Sequence, residues 1–276
     1  MDQTKKEQLQ QMANKIRLGV LECVYSANSG HPGGSLSVSD IITYLYFYKM
    51  NVDSNNPNMS TRDRFVLSKG HTSPALYSAL AYKGFFSTDL LKTFRKEGSI
   101  LQGHPDMKKV PGVDVSTGSL GLGISAACGM ALSGKISDAS YRVYTVLGDG
   151  ELEEGQVWEA AMFAGHYKLD NLTAFVDFNG LQIDGKITEV MNPTPIDEKF
   201  KAFGWNALVI DGHDFDAIDE AVSVAEAHKG QPTVIICKTV KGKGVSFMED
   251  KAEWHGSAPN KEQYEQAVNE LLALTK

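Results

Sequence analysis

The sequence predicts an α/β fold, a parallel sheet with helices on both faces, and two observations predict it. Short runs rich in β-branched and aromatic residues recur at 64–68, 141–147, 173–178, 207–210 and 233–238, and each reads as a strand. Among them lie apolar, alanine-rich stretches at 120–133, 156–167 and 215–228, long enough to be crossover helices. Strand, helix and strand in repetition make a parallel sheet covered on both sides. In such sheets ligands bind beyond the carboxyl ends of the strands, where loops open and helix amino termini point into a crevice. The residues just after each strand are therefore the informative ones.

Ahead of the first strand, Leu9, Met12, Ile16, Val20 and Val24 recur at three- and four-residue spacing, an amphipathic helix that should stop at Asn28-Ser29-Gly30. A second helix is expected over 39–50 and a last one over 260–276. With 276 residues, 42% of them hydrophobic, the chain can bury a large core. No repeat, low-complexity tract or Pro/Gly-rich linker divides it, so a single domain over 1–276 is expected, with functional loops at 191–195 and 242–256.

A formal charge of -7 provides no broad basic field, which argues against nucleic acid as the main partner. Cys23, Cys128 and Cys237 stand far apart in apolar segments and suggest buried thiols, neither a disulfide framework nor a Cys-based metal site. The amino-terminal residues mix charges and do not read as a signal peptide, and no run of about 18 apolar residues suggests a membrane span. A reducing cytoplasm is the expected location.

The chemistry concentrates at 148–181. Directly after the strand ending at Leu147 comes Gly148-Asp149-Gly150-Glu151-Leu152-Glu153-Glu154-Gly155, followed by an apolar helix. Glycines beside the carboxylate let backbone approach a ligand closely and offer N–H groups to an anion. Asp149 would repel that anion unless it held a divalent cation that the phosphates also coordinate, and Mg²⁺ has that preference for oxygen donors. A second oxygen donor is then expected at the next strand's end, where Asn179 stands with Gly180 and Leu181 behind it. The amide oxygen of Asn179 and a nearby main-chain carbonyl would complete the protein's share of an octahedron. In isolation, Asp149 would equally suit a helix amino-terminal cap.

Further motifs narrow the reading. Gly-Asp-Gly with the spaced Asn resembles the thiamine diphosphate motif. Ser29-Gly30-His31-Pro32-Gly33-Gly34, Ser68-Lys69-Gly70-His71, Gly103-His104-Pro105, Thr117-Gly118-Ser119-Leu120-Gly121-Leu122-Gly123 and Trp254-His255-Gly256 all resemble transketolase signatures, and together they span nearly the whole chain. The resemblance implies the thiamine diphosphate-binding fold of the PP domain and transfer of a two-carbon ketol unit from a ketose to an aldose. It implies His31 and His255 as proton-transfer groups at substrate hydroxyls, His255 also near the diphosphate, His104 at the ketol end of the donor and His71 at the diphosphate. Gly118, Ser119 and Leu120 would meet the cofactor ring, Gly150 would donate its N–H to phosphate, and Ile183 would form an apolar wall. Asp149, Asn179 and the Leu181 carbonyl would hold Mg²⁺, with Ca²⁺ or Mn²⁺ as substitutes. Lys241 matches a position near the cofactor in some relatives and reads equally well as a solvated lysine in a flexible loop. His166, His213 and His228 lack motif context and are expected to be structural or surface groups. The glycines of 118–123 do not form G-x-G-x-x-G after a strand, which disfavours NAD.

In transketolases the glutamate that activates the cofactor comes from a pyrimidine-binding domain, and the sequence ends before such a domain would follow. Glu154 matches a position that contacts that glutamate across an interface. The resemblance therefore implies the amino-terminal subunit of a split enzyme, inactive alone, in a heterotetramer with two carboxy-terminal partners, with the apolar helix over 156–165 as one candidate packing surface. Two related readings share the cofactor: the α subunit of a 2-oxo acid dehydrogenase, or a deoxyxylulose phosphate synthase type of enzyme. A third is a non-catalytic assembly subunit.

Overall fold

A computed structural model describes residues 1–274. The five expected strands, β1 (Arg64–Leu67), β2 (Val143–Gly148), β3 (Leu172–Phe178), β6 (Asn206–Asp211) and β7 (Thr233–Lys238), form one parallel sheet in the order β1-β2-β3-β7-β6. A two-residue hairpin, β4 (Leu181–Gln182) with β5 (Gly185–Lys186), stands apart from it.

Alternation along each strand assigns side chains to two cores. Phe65, Leu67, Tyr144, Val146, Phe175, Ile235 and Cys237 face α1 (Gln3–Ala27), α3 (Ser39–Tyr44), α4 (Ser73–Lys83) and α9 (Phe215–Ala227). Val66, Val143, Leu147, Ala174, Val176, Val234 and Ile236 face α5 (Leu122–Ile136), α6 (Gly155–His166) and α8 (Ile196–Ala202). Handedness explains the division. The steps β1 to β2 to β3 run across the sheet in one direction, with α5 and α6 on one face. The step from β6 back to β7 runs the opposite way, so a right-handed crossover must put α9 on the other face.

The register brings the strand ends level: Gly148 pairs with Asp177, and Phe178 with Lys238. Every loop that leaves the central strands at this edge therefore opens at the same height.

Local differences from the expected elements have local causes. The stretch 39–50 is not one α-helix, because after α3 it widens into a π-helical turn at Leu45–Lys49. Pro32 at the first helical position starts a separate short helix, α2 (Pro32–Ser37). The first helix does stop at Asn28, which takes the left-handed conformation at φ 46°. The last helix, α10 (Lys261–Ala273), opens with a reciprocal Asn260–Gln263 capping box, while the predicted residues Thr275 and Lys276 lie outside the described residues. All three cysteines are buried and free. No helix among the described residues is long and apolar enough to cross a membrane.

Candidate active site

The carboxyl ends of four neighbouring strands deliver the site. Lys69 follows β1, Asp149 follows β2, Asn179 follows β3 and Lys241 follows β7. Together with Gly34, His71, Leu120, Gly148, Gly150, Glu151, Leu181, Gln182, Ile183 and His255 they line one cleft.

Asp149 is 3% exposed, and one oxygen accepts from Gly150 N–H at 2.9 Å while the other accepts from Gly180 N–H at 2.7 Å. The carboxylate thus caps the 3₁₀ turn Gly150–Glu153, as the cap reading expects, and clamps the next strand's loop in the same geometry. Burial, with the Asp177 charge nearby, pushes its pKa up to about 7 against the pull of the two N–H groups. A carboxylate in that state is short of positive charge. Asn179 turns its Oδ1 to Leu181 N–H at 3.2 Å and its Nδ2 to Asp177 at 3.3 Å. Gly180 bridges the two at φ 74°, a conformation that suits glycine.

The oxygens of Asp149, Asn179 and the Leu181 carbonyl are hard donors on two adjacent loops at one cleft, the kind of residues that would hold Mg²⁺. Among the described residues no group of three His, Cys, Asp or Glu side chains could hold a metal by itself, so a dedicated protein cage is not the alternative.

Lys241 is not a solvated lysine: it is 2% exposed, with Nζ 3.1 Å from the Leu181 carbonyl and 3.1 Å from His255 Nδ1. Burial lowers its pKa to about 8, with Asp149 opposing the shift. It is therefore charged at neutral pH, so His255 Nδ1 accepts and the ring proton sits on Nε2. Gly33 permits this packing, since a Cβ there would lie 2.9 Å from Lys241 Cγ and 2.8 Å from the Trp254 carbonyl.

Three of the motif histidines meet beside the cleft, of which His71 and His255 line it. Ring centroids of His31 and His71 are 5.0 Å apart, those of His31 and His255 5.4 Å, and those of His71 and His255 5.5 Å. Burial and neighbouring cations lower all three: His31 to about 4 with Arg95 adding to the effect, His71 to about 2 with Lys69, His255 to about 4 with Lys241. All are neutral imidazoles at neutral pH, able to accept or donate a proton. His31 Nδ1 is buried without a hydrogen-bond partner.

His104 also has a lowered pKa, from burial and Arg95, and its ring packs on Gly118, where a Cβ would lie 3.0 Å away. His31, His104, Gly118, Ser119 and Glu154 do not line the same cleft as Asp149. Gly118 and Ser119 line a neighbouring depression with Thr117 and Leu122. Glu154 is exposed at the start of α6 and packs so close to Gly121 that a Cβ there would lie 2.9 Å from the Glu154 Cβ. Ile183, 64% exposed, stands at the tip of the β4–β5 hairpin.

Sequence reading missed the groups beneath the cleft. Asp177, fully buried on β3, receives Lys69 Nζ, Ser37 Oγ at 2.6 Å and Thr239 Oγ1. Burial works to raise its pKa, but the Lys69 ammonium and the two hydroxyls outweigh burial and hold it below the usual carboxylate range. Lys69 Nζ also donates to the Gly34 carbonyl at 2.9 Å. Glu151, 2% exposed, accepts from Ser68 Oγ, from Gly121 N–H at 2.9 Å and from Gly148 N–H at 3.0 Å, tying the 117–123 loop to the Asp149 loop. The available signal was a charged residue inside an apolar strand, at Asp177.

One consequence of the neutral histidines is measurable in the cofactor-free chain. The unfolded His71 protonates as pH falls below 6.5, while the folded one resists down to about 2. Stability should therefore fall with pH in that window, because the unfolded state binds more protons. His71→Gln is expected to lose less melting temperature between pH 7 and pH 5 than the wild type, by about 2 °C. An identical loss would show that the fold does not hold His71 neutral.

Known proteins resemble this chain along nearly its whole length. Residues 8–272 match the family model "Transketolase, thiamine diphosphate binding domain". The chain is 48% identical over 263 residues to the 6-deoxy-6-sulfo-D-fructose transketolase subunit SqwG of Clostridium sp. (strain MSTE9), covering 95% of this chain and 96% of that one. It is 44% identical to an apulose-4-phosphate transketolase subunit of Phocaeicola vulgatus, covering 96% of this chain and 94% of that one. Human transketolase is 45% identical over 99% of this chain, which spans only 43% of the human protein. The crystal structure of Campylobacter jejuni transketolase superposes with a TM-score of 0.90 at 34% identity, over 95% of this chain and 42% of that one. The chain belongs to the transketolase family and carries its thiamine diphosphate-binding domain.

Proposed function

We propose that this chain is a single thiamine diphosphate-binding unit over 1–276 and the amino-terminal subunit of a split transketolase. With thiamine diphosphate and Mg²⁺ it transfers a two-carbon ketol (glycolaldehyde) unit from a ketose phosphate to an aldose phosphate. The observation that carries the reading is the junction of two features in one place: the Asp149, Asn179 and Leu181 oxygens on adjacent loops, and three neutral histidines beside them.

Thiamine diphosphate, when bound, supplies the electron sink for breaking and making a carbon–carbon bond beside a carbonyl. This chain's residues hold and orient. Asp149, Asn179 and the Leu181 carbonyl hold Mg²⁺, while the Gly150 N–H, His71 and Lys241 meet the diphosphate. Gly118, Ser119 and Leu120 meet the ring, and Ile183 closes an apolar wall. His31 takes a proton from a sugar hydroxyl and returns it, which requires the neutral form that burial enforces, while His255 hands its Nε2 proton to a substrate oxygen and takes it back. His104 binds the ketol end of the donor.

The partner supplies the pyrimidine-binding domain and its activating glutamate, toward which Glu154 is free to point. Two relatives named as subunits and nearly equal in length to this chain support the split. Their names refer to different sugars, 6-deoxy-6-sulfo-D-fructose and apulose 4-phosphate. Leu122 at 53%, Met162 at 59% and Phe163 at 38% exposure support an apolar docking face around α5 and α6 in a heterotetramer. Mixing this chain with a carboxy-terminal subunit is expected to produce ketol transfer from a ketose phosphate that neither chain achieves alone. Robust turnover by this chain alone, or turnover of pyruvate and not of any ketose phosphate, would overturn the proposal.

A further inference from the structure

The segment leaving β7 is tied down at three successive residues. Thr239 donates its hydroxyl to Asp177, the carboxylate that holds Lys69. Lys241 spans the Leu181 carbonyl and His255. Between them, Val240 donates its N–H to His213 Nε2 at 2.9 Å. His213 lies just beyond the end of β6, and its Nδ1 is 2.7 Å from Asp40 on α3. Because Nε2 accepts, the ring proton sits on Nδ1, and Asp40 fixes that tautomer. Asp40 is paired in turn with Arg17 of α1, and each is 5% exposed.

Buried charged groups of this kind add little to stability, because their desolvation offsets their attraction. Here the chain of groups ends on a single backbone N–H, the one next to Lys241. Beyond Lys241 the loop is also held through backbone, Gly242 N–H to the Gly33 carbonyl and Asp250 N–H to the Lys241 carbonyl, each at 3.0 Å. Gly212 lets the β6 end approach closely, since a Cβ there would lie 2.6 Å from Thr239 Cγ2.

We propose that His213, oriented by Asp40 and Arg17, is the positioning residue that aims Lys241 across the diphosphate cleft. The inference rests on the cofactor reading above. By fixing the Val240 N–H it fixes the direction in which the Lys241 side chain leaves its backbone, toward Leu181 and His255. A histidine that sequence context leaves as structural or surface is thereby connected to the site.

Two amide substitutions separate this role from a structural one. Glutamine places its amide near the Nε2 position and can still accept from Val240, whereas asparagine places its amide near Nδ1 and keeps only the Asp40 contact. The measurement is the Kd of thiamine diphosphate in Mg²⁺ for the chain assembled with its partner, together with the melting temperature. His213→Asn is expected to weaken binding about fivefold to tenfold with little change in melting temperature, and His213→Gln to retain most of the affinity. Asparagine retaining affinity while glutamine loses it, or both behaving alike, would overturn the proposal. Lys241→Ala serves as the reference: if it leaves binding unchanged, or if the wild type binds no thiamine diphosphate, the cofactor reading has failed and not the positioning role alone.

Discussion

Replacing Asp149 with alanine is expected to reduce ketol transfer by the assembled enzyme at least about 100-fold while leaving the cofactor-free fold nearly as stable as before. The two halves of that prediction come from one fact. Burial and the Asp177 charge push the Asp149 carboxyl up to about 7, so its charge is unfavourable in the folded chain unless a cation offsets it. Removing it relieves that penalty and forfeits the bonds to the Gly150 and Gly180 N–H groups, two small terms of opposite sign. The cation that the carboxylate would neutralise, and the phosphates that cation would share, lose their anchor entirely. Thermal melts of the isolated chain and initial rates of the reconstituted pair read the two halves separately. A variant that keeps full activity would remove Asp149 from the metal site, and one that fails to fold would show that its role is the clamp on the Gly180 loop.

The second large effect is on stability. Asp177→Ala leaves the Lys69 ammonium, 2% exposed, without its carboxylate, and also strips partners from Ser37 and Thr239. An uncompensated buried charge costs about 3–5 kcal/mol, which corresponds to a melting temperature lower by about 10 °C in a chain of this size. Asp177→Asn keeps an acceptor oxygen for only one of the two hydroxyls, which donate to different carboxylate oxygens, and should fall between Asp177→Ala and the wild type. Replacing both partners together, Lys69→Met with Asp177→Val, is expected to recover most of the melting temperature, because it buries no charge. It should not recover activity, since Lys69 lines the cleft and Thr239 begins the segment that carries Lys241. A loss below about 1 kcal/mol for Asp177→Ala would mean that Lys69 finds water or another anion instead.

Much of this molecule is legible in its sequence, for a physical reason. In a parallel sheet the ligand edge is the set of residues after each strand, and Asp149 and Asn179 each follow a run of β-branched and aromatic residues that periodicity detects. The four histidines stand in glycine-rich loops with family spacing, and the structure gathers His31, His71 and His255 within 5.5 Å of one another. What escaped depends on which strands are neighbours. Lys69 and Asp177 are 108 residues apart in sequence, and nothing local to either states that β1 and β3 flank β2. Lys241 sits among glycines and lysines, a composition typical of solvated loops, yet it is buried because Gly33 lets the loop close onto α2. The hairpin over Leu181–Lys186 has only two residues per strand, too few for alternation to register. The widening of the second helix into a π-turn at Leu45–Lys49 likewise has no signature in hydrophobic spacing.

The most direct test is a calorimetric titration of thiamine diphosphate into the chain assembled with its partner, at pH 8, with Mg²⁺ or with a chelator, for the wild type and for Asp149→Ala. Binding by the wild type that requires Mg²⁺ and disappears in the variant is the predicted result. Binding of equal strength with chelator present, or in Asp149→Ala, would contradict a shared metal and diphosphate site between the β2 and β3 loops.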